Sequence, residues 1–187
     1  MMSTFRGMPL SGVQQRTQCL DPQWSMGFRK CRSCELCIEY EKYQWSKRCH
    51  IEMDKMGESR CVFSTWTFRP RGPNWEPTVE GCKAEVTKVL KRMRHVHNRL
   101  RYLGATEFGD ERGRVHQHFL FHGLSKAKEA RGFWKQGFTH ARWASEQDIQ
   151  YVSEYCAKDK STGRRMVSLN YGSLSGGQVN ELLSDPR

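Results

Sequence analysis

Two histidines and, further along the chain, two tyrosines have the types and spacing needed to break a phosphodiester. His116 and His118 lie in Arg114-Val-His-Gln-His-Phe-Leu-Phe121, a run of β-formers bounded by Gly113 and Gly123. Alternate residues of a strand share a face, so both imidazoles project together and can hold one metal ion. Tyr151 and Tyr155 lie in Tyr151-Val-Ser-Glu-Tyr-Cys-Ala-Lys158, which reads as a helix starting near Ser145 with Glu146 and Asp148 in its first turn. At about 100° per residue, Tyr151, Tyr155 and Lys158 fall within about 60° of one another. Ile149, Val152 and Cys156 form a separate apolar stripe, which leaves the phenols on a partly polar side. A phenol is a covalent nucleophile, a divalent ion neutralises the phosphate it attacks, and Lys158 adds a point charge beside it.

The elements that must position these groups follow from period and punctuation. A strand is expected over 61–68, a Pro/Gly loop over 70–77, and a helix over about 82–97 with Val86, Val89, Leu90, Met93 and Val96 on one face. A strand over 100–107, a turn through Gly109-Asp-Glu-Arg-Gly113 and the histidine strand together predict an antiparallel hairpin. That hairpin brings Glu107 across from the histidines as an oxygen ligand. A mixed histidine and carboxylate site suits Mn²⁺, with Mg²⁺ the abundant alternative. The order β-α-β-β-α predicts an α+β fold, a central antiparallel sheet with helices packed on one face. His95-Val-His97 has a similar spacing but reads as helix, where residues two apart diverge by about 200°. It is read as part of a basic surface.

Composition fits a polyanionic partner. Lys and Arg number 31 against 20 Asp and Glu, a formal charge of +11, and phosphate neutralisation supplies most nonspecific DNA affinity. No apolar run approaches the roughly 20 residues of a membrane span, and the N-terminal segment lacks the apolar core of a signal peptide. The eight cysteines are therefore expected as thiols or metal ligands rather than disulfides. Cys31-x-x-Cys34-x-x-Cys37 offers three thiolates, with Cys49, Cys19 or His50 able to complete a structural zinc site. A second Cys-x-x-Cys is missing, so ordinary burial of these cysteines stays open. Three stretches result: a cysteine-rich N-terminal extension over 1–57 ending in a helix, a catalytic domain over 58–165, and a polar C-terminal tail over 166–187.

The segment Tyr102-Leu-Gly-Ala-Thr-Glu-Phe-Gly-Asp-Glu-Arg-Gly-Arg-Val-His-Gln-His118, with the later Tyr-x-x-x-Tyr-x-x-Lys, resembles the HUH endonucleases. Cys61-Val-Phe-Ser-Thr-Trp-Thr-Phe-Arg-Pro70 is similar to the first strand motif of rolling-circle initiators. Cys31-Arg-Ser-Cys-Glu-Leu-Cys37 with Trp45-Ser-Lys-Arg-Cys-His50 resembles the cysteine-rich leader of gokushovirus proteins. The chain is thus most similar to microvirus replication initiators. It departs from them at Gln117, where a hydrophobic residue is usual, and at Val115, where relatives often carry proline. The resemblance implies a sheet whose catalytic face is open to DNA, and two tyrosines that alternate in nicking and rejoining single-stranded origin DNA. It also implies host helicase and polymerase as partners, the bacterial cytoplasm as the place of action, and no membrane. Two other readings remain: an HUH transposase, and a noncatalytic zinc-dependent nucleic-acid-binding module. Relaxases generally place the tyrosine before the histidine pair, and here it follows.

Overall fold

Apolar alternation on three strands builds the centre of the molecule. The computed structural model describes residues 19–21, 23–24, 28–29, 31–69, 78–108, 115–158 and 165–173. The expected 70–77 loop, the 109–113 turn and the tail beyond residue 173 lie outside them. In chain order the elements are β1 (Gln23–Trp24), β2 (Phe28–Arg29), α1 (Glu35–Met56), β3 (Val62–Thr67), α2 (Val79–Val96), β4 (Arg101–Phe108) and β5 (Val115–His122). Then come α3 (Glu129–Gly132), β6 (Thr139–Trp143), α4 (Glu146–Lys158) and β7 (Arg165–Val167). β1 and β2 pair with each other, and the other strands form one antiparallel sheet in the order β6-β3-β5-β4-β7. The α+β architecture and the β4–β5 hairpin expected from the sequence are present.

Each face of the sheet takes alternate residues. Val62 and Trp66 of β3, with Val115, Phe119 and Phe121 of β5, point to one side, where Val86, Val89, Leu90 and Met93 of α2 cover them. The other side takes Phe63, Leu103, Ala105 and Leu120, under Trp45, Cys49 and Met53 of α1 and Ile149, Val152 and Cys156 of α4. The site-bearing face is therefore the one on which α1 and α4 pack, while α2 backs the opposite face. α1, from the cysteine-rich stretch, shares this core with the sheet and ends in a left-handed Gly57 whose N–H bonds to Asp54 O at 3.1 Å.

Two residues fix how closely β4 and β5 lie. A Cβ on Gly104 would stand 2.3 Å from the Phe119 ring, so only glycine leaves room for that ring. Gln117, the departure from the hydrophobic middle residue, is fully buried on the α2 side and donates to Thr106 Oγ1 at 2.6 Å.

Candidate active site and metal centres

Register decides which side chains meet. Glu107 pairs directly with His116 and Ala105 with His118, while on the other edge of β5 Thr65 pairs with His118 and Thr67 with His116. His116, His118, Glu107 and Thr65 therefore share the face covered by α4. That helix starts at a capping exchange: Ser145 N–H donates to Asp148 Oδ2 at 2.8 Å, and Asp148 N–H to Ser145 Oγ at 3.3 Å. Arg142 clamps the same carboxylate with two bonds, at 2.5 and 2.6 Å. The anchored helix buries Ile149, Val152 and Cys156 and leaves Tyr151 and Tyr155 at the sheet's edge.

Glu107 is the hub. Its Oε2 accepts from Tyr151 Oη at 2.7 Å and lies 2.8 Å from His118 Nε2, and its Oε1 accepts from Tyr155 Oη. With an acceptor-only carboxylate at Nε2, His118 carries its proton there, and Nδ1 accepts from Thr65 Oγ1 at 3.1 Å. Phe63 stacks on the His118 ring with centroids 5.9 Å apart and planes 7° from parallel. The two phenol rings are 5.0 Å apart.

The electrostatics describe a resting state. Burial pushes both phenols up, and the Glu107 carboxylate beside them pushes them further. Burial raises Glu107, but hydrogen bonds from Tyr155, Tyr151 and His118 outweigh it and hold the carboxyl below its ordinary range. His118 is lowered by burial, with Glu107 acting in the opposite direction. Protonated phenols, an ionised carboxylate and a neutral imidazole form a consistent set.

His116 is less gathered in. It lies on the same face, half-buried, with its ring 6.0 Å from that of His118. His116, His118 and Glu107 do not form one of the compact ligand clusters among the described residues. Their donor set nonetheless fits a hard or borderline divalent ion, two imidazoles and a carboxylate on one face. Lys158 lies 5.7 Å from the Tyr155 ring, its ammonium paired with Glu154, which Lys42 of α1 also approaches at 3.5 Å. His95 is exposed on α2, and His97 caps it with its ring 5.8 Å from Phe133, far in sequence and fold from the phenols.

The cysteines separate into two groups. Cys31, Cys34 and Cys37 meet Cys19, the four sulfurs lying within 4.8 Å of one another. Backbone N–H groups point at them: Cys31 N–H to Cys19 Sγ at 3.3 Å, Leu20 N–H to Cys34 Sγ at 3.4 Å, and Cys34 N–H to Cys31 Sγ at 3.2 Å. Hydrogen bonds from Ser33 bring Cys31 down to about 5, the Leu20 N–H lowers Cys34, and burial pushes Cys37 up to about 12. Arg32, at φ 60°, makes the turn that aims those donors inward. Four thiols with N–H donors suit a thiophilic ion such as Zn²⁺.

Cys49 does not join them. Its sulfur lies on the buried face of α1, 4.0 Å from Cys61 Sγ and 4.0 Å from His122 Nε2. His50 also stands apart, 3.2 Å from Glu146. Sequence spacing offered Cys49 and Cys19 as equal candidates, and only the loop leading into α1 distinguishes them. The sequence reading also passed over Thr65, Phe63 and Arg142 as site residues. Thr65 and Phe63 stood in a recognisable strand motif, but their facing toward His118 depends on register.

Residues 61–160 match the family model of the replication-associated protein ORF2. No curated protein and no solved structure gives a significant match to the chain.

Proposed function

The chain belongs to the replication-associated protein ORF2 family, and from that premise we propose that it nicks single-stranded origin DNA with a tyrosine and later rejoins it. The observation that carries this reading is the convergence of Tyr151, Tyr155 and His118 on the single carboxylate of Glu107. Two phenols at one acceptor are wasteful as packing and apt for a pair of nucleophiles that act in turn.

A phenol oxygen attacks the scissile phosphorus. The Oη–P bond forms, the P–O3′ bond breaks, and the departing 3′ oxygen takes a proton, giving a 5′-phosphotyrosine and a free 3′-OH. Glu107 is the acceptor for the phenol's proton. Because the carboxyl is held low and the phenols high, proton transfer accompanies attack and does not precede it. His116, His118 and Glu107 would hold Mn²⁺ or Mg²⁺, which supplies charge neutralisation on the nonbridging phosphate oxygens when bound. Thr65 and Phe63 fix the plane of His118, and Lys158 offers its charge at the phenol edge.

The phosphotyrosine keeps the energy of the broken bond, so rejoining needs no ATP. The second phenol can cut the regenerated origin while the first holds the DNA end, as in the microvirus initiators that the chain resembles. The free 3′-OH primes a host polymerase, with a host helicase opening the duplex. A Zn²⁺ in the Cys19, Cys31, Cys34 and Cys37 cluster would pin the start of α1, which lies against α4.

Incubation with end-labelled single-stranded DNA and Mn²⁺ tests the reading. A covalent protein–DNA adduct on a denaturing gel is expected, absent with EDTA and located by mass spectrometry on Tyr151 or Tyr155. DNA binding without any adduct would instead support the noncatalytic zinc module. A family-wide role in replication also argues against the transposase alternative, which predicts transfer of the cut end to an unrelated target.

A further inference from the structure

We infer that Cys49, Cys61 and His122 form a second zinc site, buried inside the catalytic core and separate from the Cys19, Cys31, Cys34 and Cys37 cluster. Cys49 comes from α1, Cys61 from the residue before β3 and His122 from the end of β5. All three are at most 1% exposed. Their ligand atoms lie within 4.8 Å of one another, with Cys49 Sγ 4.0 Å from both Cys61 Sγ and His122 Nε2. Zinc–sulfur bonds of roughly 2.3 Å at a tetrahedral angle put two sulfurs about 3.8 Å apart, so the pocket needs little adjustment.

The surroundings supply what such a site requires. Tyr171, 4% exposed, places its hydroxyl 2.7 Å from His122 Nε2, the oxygen available on the fourth side. On the other side of the imidazole, His122 Nδ1 faces Glu58 Oε2 at 3.4 Å. Both atoms are buried, and neither has a hydrogen-bond partner among the described residues. A metal on Nε2 fixes the ring proton on Nδ1 and turns it toward that carboxylate, the outer partner that zinc-bound histidines usually have. Glu58 is held for the task, its Oε1 accepting from Gly123 N–H at 2.7 Å. Two thiolates also cancel the charge of one Zn²⁺, which makes an ion tolerable in an interior that would reject an unpaired charge.

As a hydrogen-bonded cluster the same residues perform poorly. Thiols are weak donors, the sulfur contacts are long, and the Nδ1 and Oε2 atoms stay unmatched. The zinc would join α1, the entry to β3, the exit of β5 and the turn at 168–173, four pieces far apart in sequence. His122 lies on the same strand and face as His116 and His118, so this tie would fix the strand that carries the candidate catalytic histidines. The inference does not depend on the nicking chemistry.

The test uses the full chain, purified without chelator and reconstituted with Zn²⁺ alone. Metal analysis should find about two zinc ions per chain, and zinc-edge X-ray absorption an averaged shell of about three sulfurs and one nitrogen or oxygen. A Cys31→Ser/Cys34→Ser variant should keep about one zinc, with about two sulfurs in its shell. One zinc per wild-type chain with two sulfurs would still support the site and would count against the four-cysteine cluster. One zinc in an all-sulfur shell would overturn the inference. So would a Cys31→Ser/Cys34→Ser variant that keeps the helical circular dichroism of wild type and binds no metal. The wild-type spectrum decides the matter even where Cys49→Ser or Cys61→Ser fails to fold.

Discussion

Strand β5 carries three histidines on one face, and its two ends are used in opposite ways. At the His116–His118 end the neighbours are hydroxyls and a carboxylate, Tyr151 is 37% exposed and Glu107 serves several donors at once. At the His122 end the imidazole is sealed among Cys49, Cys61 and Tyr171. Burial, opposed by hydrogen bonding to Cys49 and Glu58, leaves His122 raised to about 9, whereas burial leaves His118 lowered. Residue type and strand periodicity are the same. The difference comes from what lies above: the phenol-bearing side of α4 over one end, and the buried face of α1 with the 168–173 turn over the other. A histidine's chemistry is thus set by the layer that covers it.

If the comparison is sound, substitutions at the open end should remove chemistry and spare stability, and substitutions at the sealed end should do the reverse. The sharpest break is Tyr151→Phe with Tyr155→Phe. Adduct formation should fall on the order of a thousandfold or more, with the thermal midpoint moving only as far as two lost surface hydrogen bonds require, about 1–2 kcal/mol in total. Persisting adduct in the double variant would sink the tyrosine mechanism. Replacing His116 and His118 with Ala should cut Mn²⁺-dependent nicking at least about a hundredfold, more than loss of an outer partner costs. Thr65→Ala, which removes only the hydroxyl behind His118, should cost about tenfold. In both, filter binding should show nonspecific DNA affinity nearly unchanged.

The sealed end is probed by Glu52→Gln. Glu52 is 2% exposed, bonds Arg101 at 2.6 Å and accepts from Gly172 N–H at 2.7 Å. Burial raises its carboxyl, but these partners outweigh burial and leave it below the ordinary value. A depressed carboxyl contributes stability above its unfolded value of about 4.3 and loses that contribution as pH falls through the folded value. Urea midpoints of the wild type should therefore drop on acidification below about pH 4, and the Gln variant should lack that step. At pH 7 the variant should be about 2–3 kcal/mol less stable, discounted for the partial exposure of Arg101. Nicking by the folded fraction should be unchanged. The smallest effect is expected at Lys158→Ala, a loss of about threefold in adduct rate, because its ammonium is already shared with Glu154. His95→Ala with His97→Ala should leave nicking within error of wild type.

Much of this frame is visible in sequence, because the face-sharing of His116 and His118, the hairpin holding Glu107 and the helical register of Tyr151 and Tyr155 are short-range. The expected elements at 61–68, 82–97 and 100–107 stand at Val62–Thr67, Val79–Val96 and Arg101–Phe108. What escaped is long-range or weakly patterned. β6, with the sequence THARW, offers no apolar alternation and exists by pairing with β3. β7 is three residues held by β4. Cys49, Cys61 and His122 lie 73 residues apart at their extremes, and no spacing rule joins them. His122, which the sequence placed at the margin of the site, is one of the most enclosed side chains in the molecule.

The strand order also has a kinetic meaning. β5 is central, yet its partner β3 precedes it by about fifty positions, and both edge strands are made after it. Hardly any of the sheet can close on neighbours in sequence except the β4–β5 hairpin. The phenols reach Glu107 only after α4 has left the ribosome and found α1, more than a hundred positions upstream. A nascent chain therefore carries its histidines, its carboxylate and most of its positive charge before it carries a positioned phenol. Affinity for nucleic acid matures early in synthesis, and the capacity to cut arrives late.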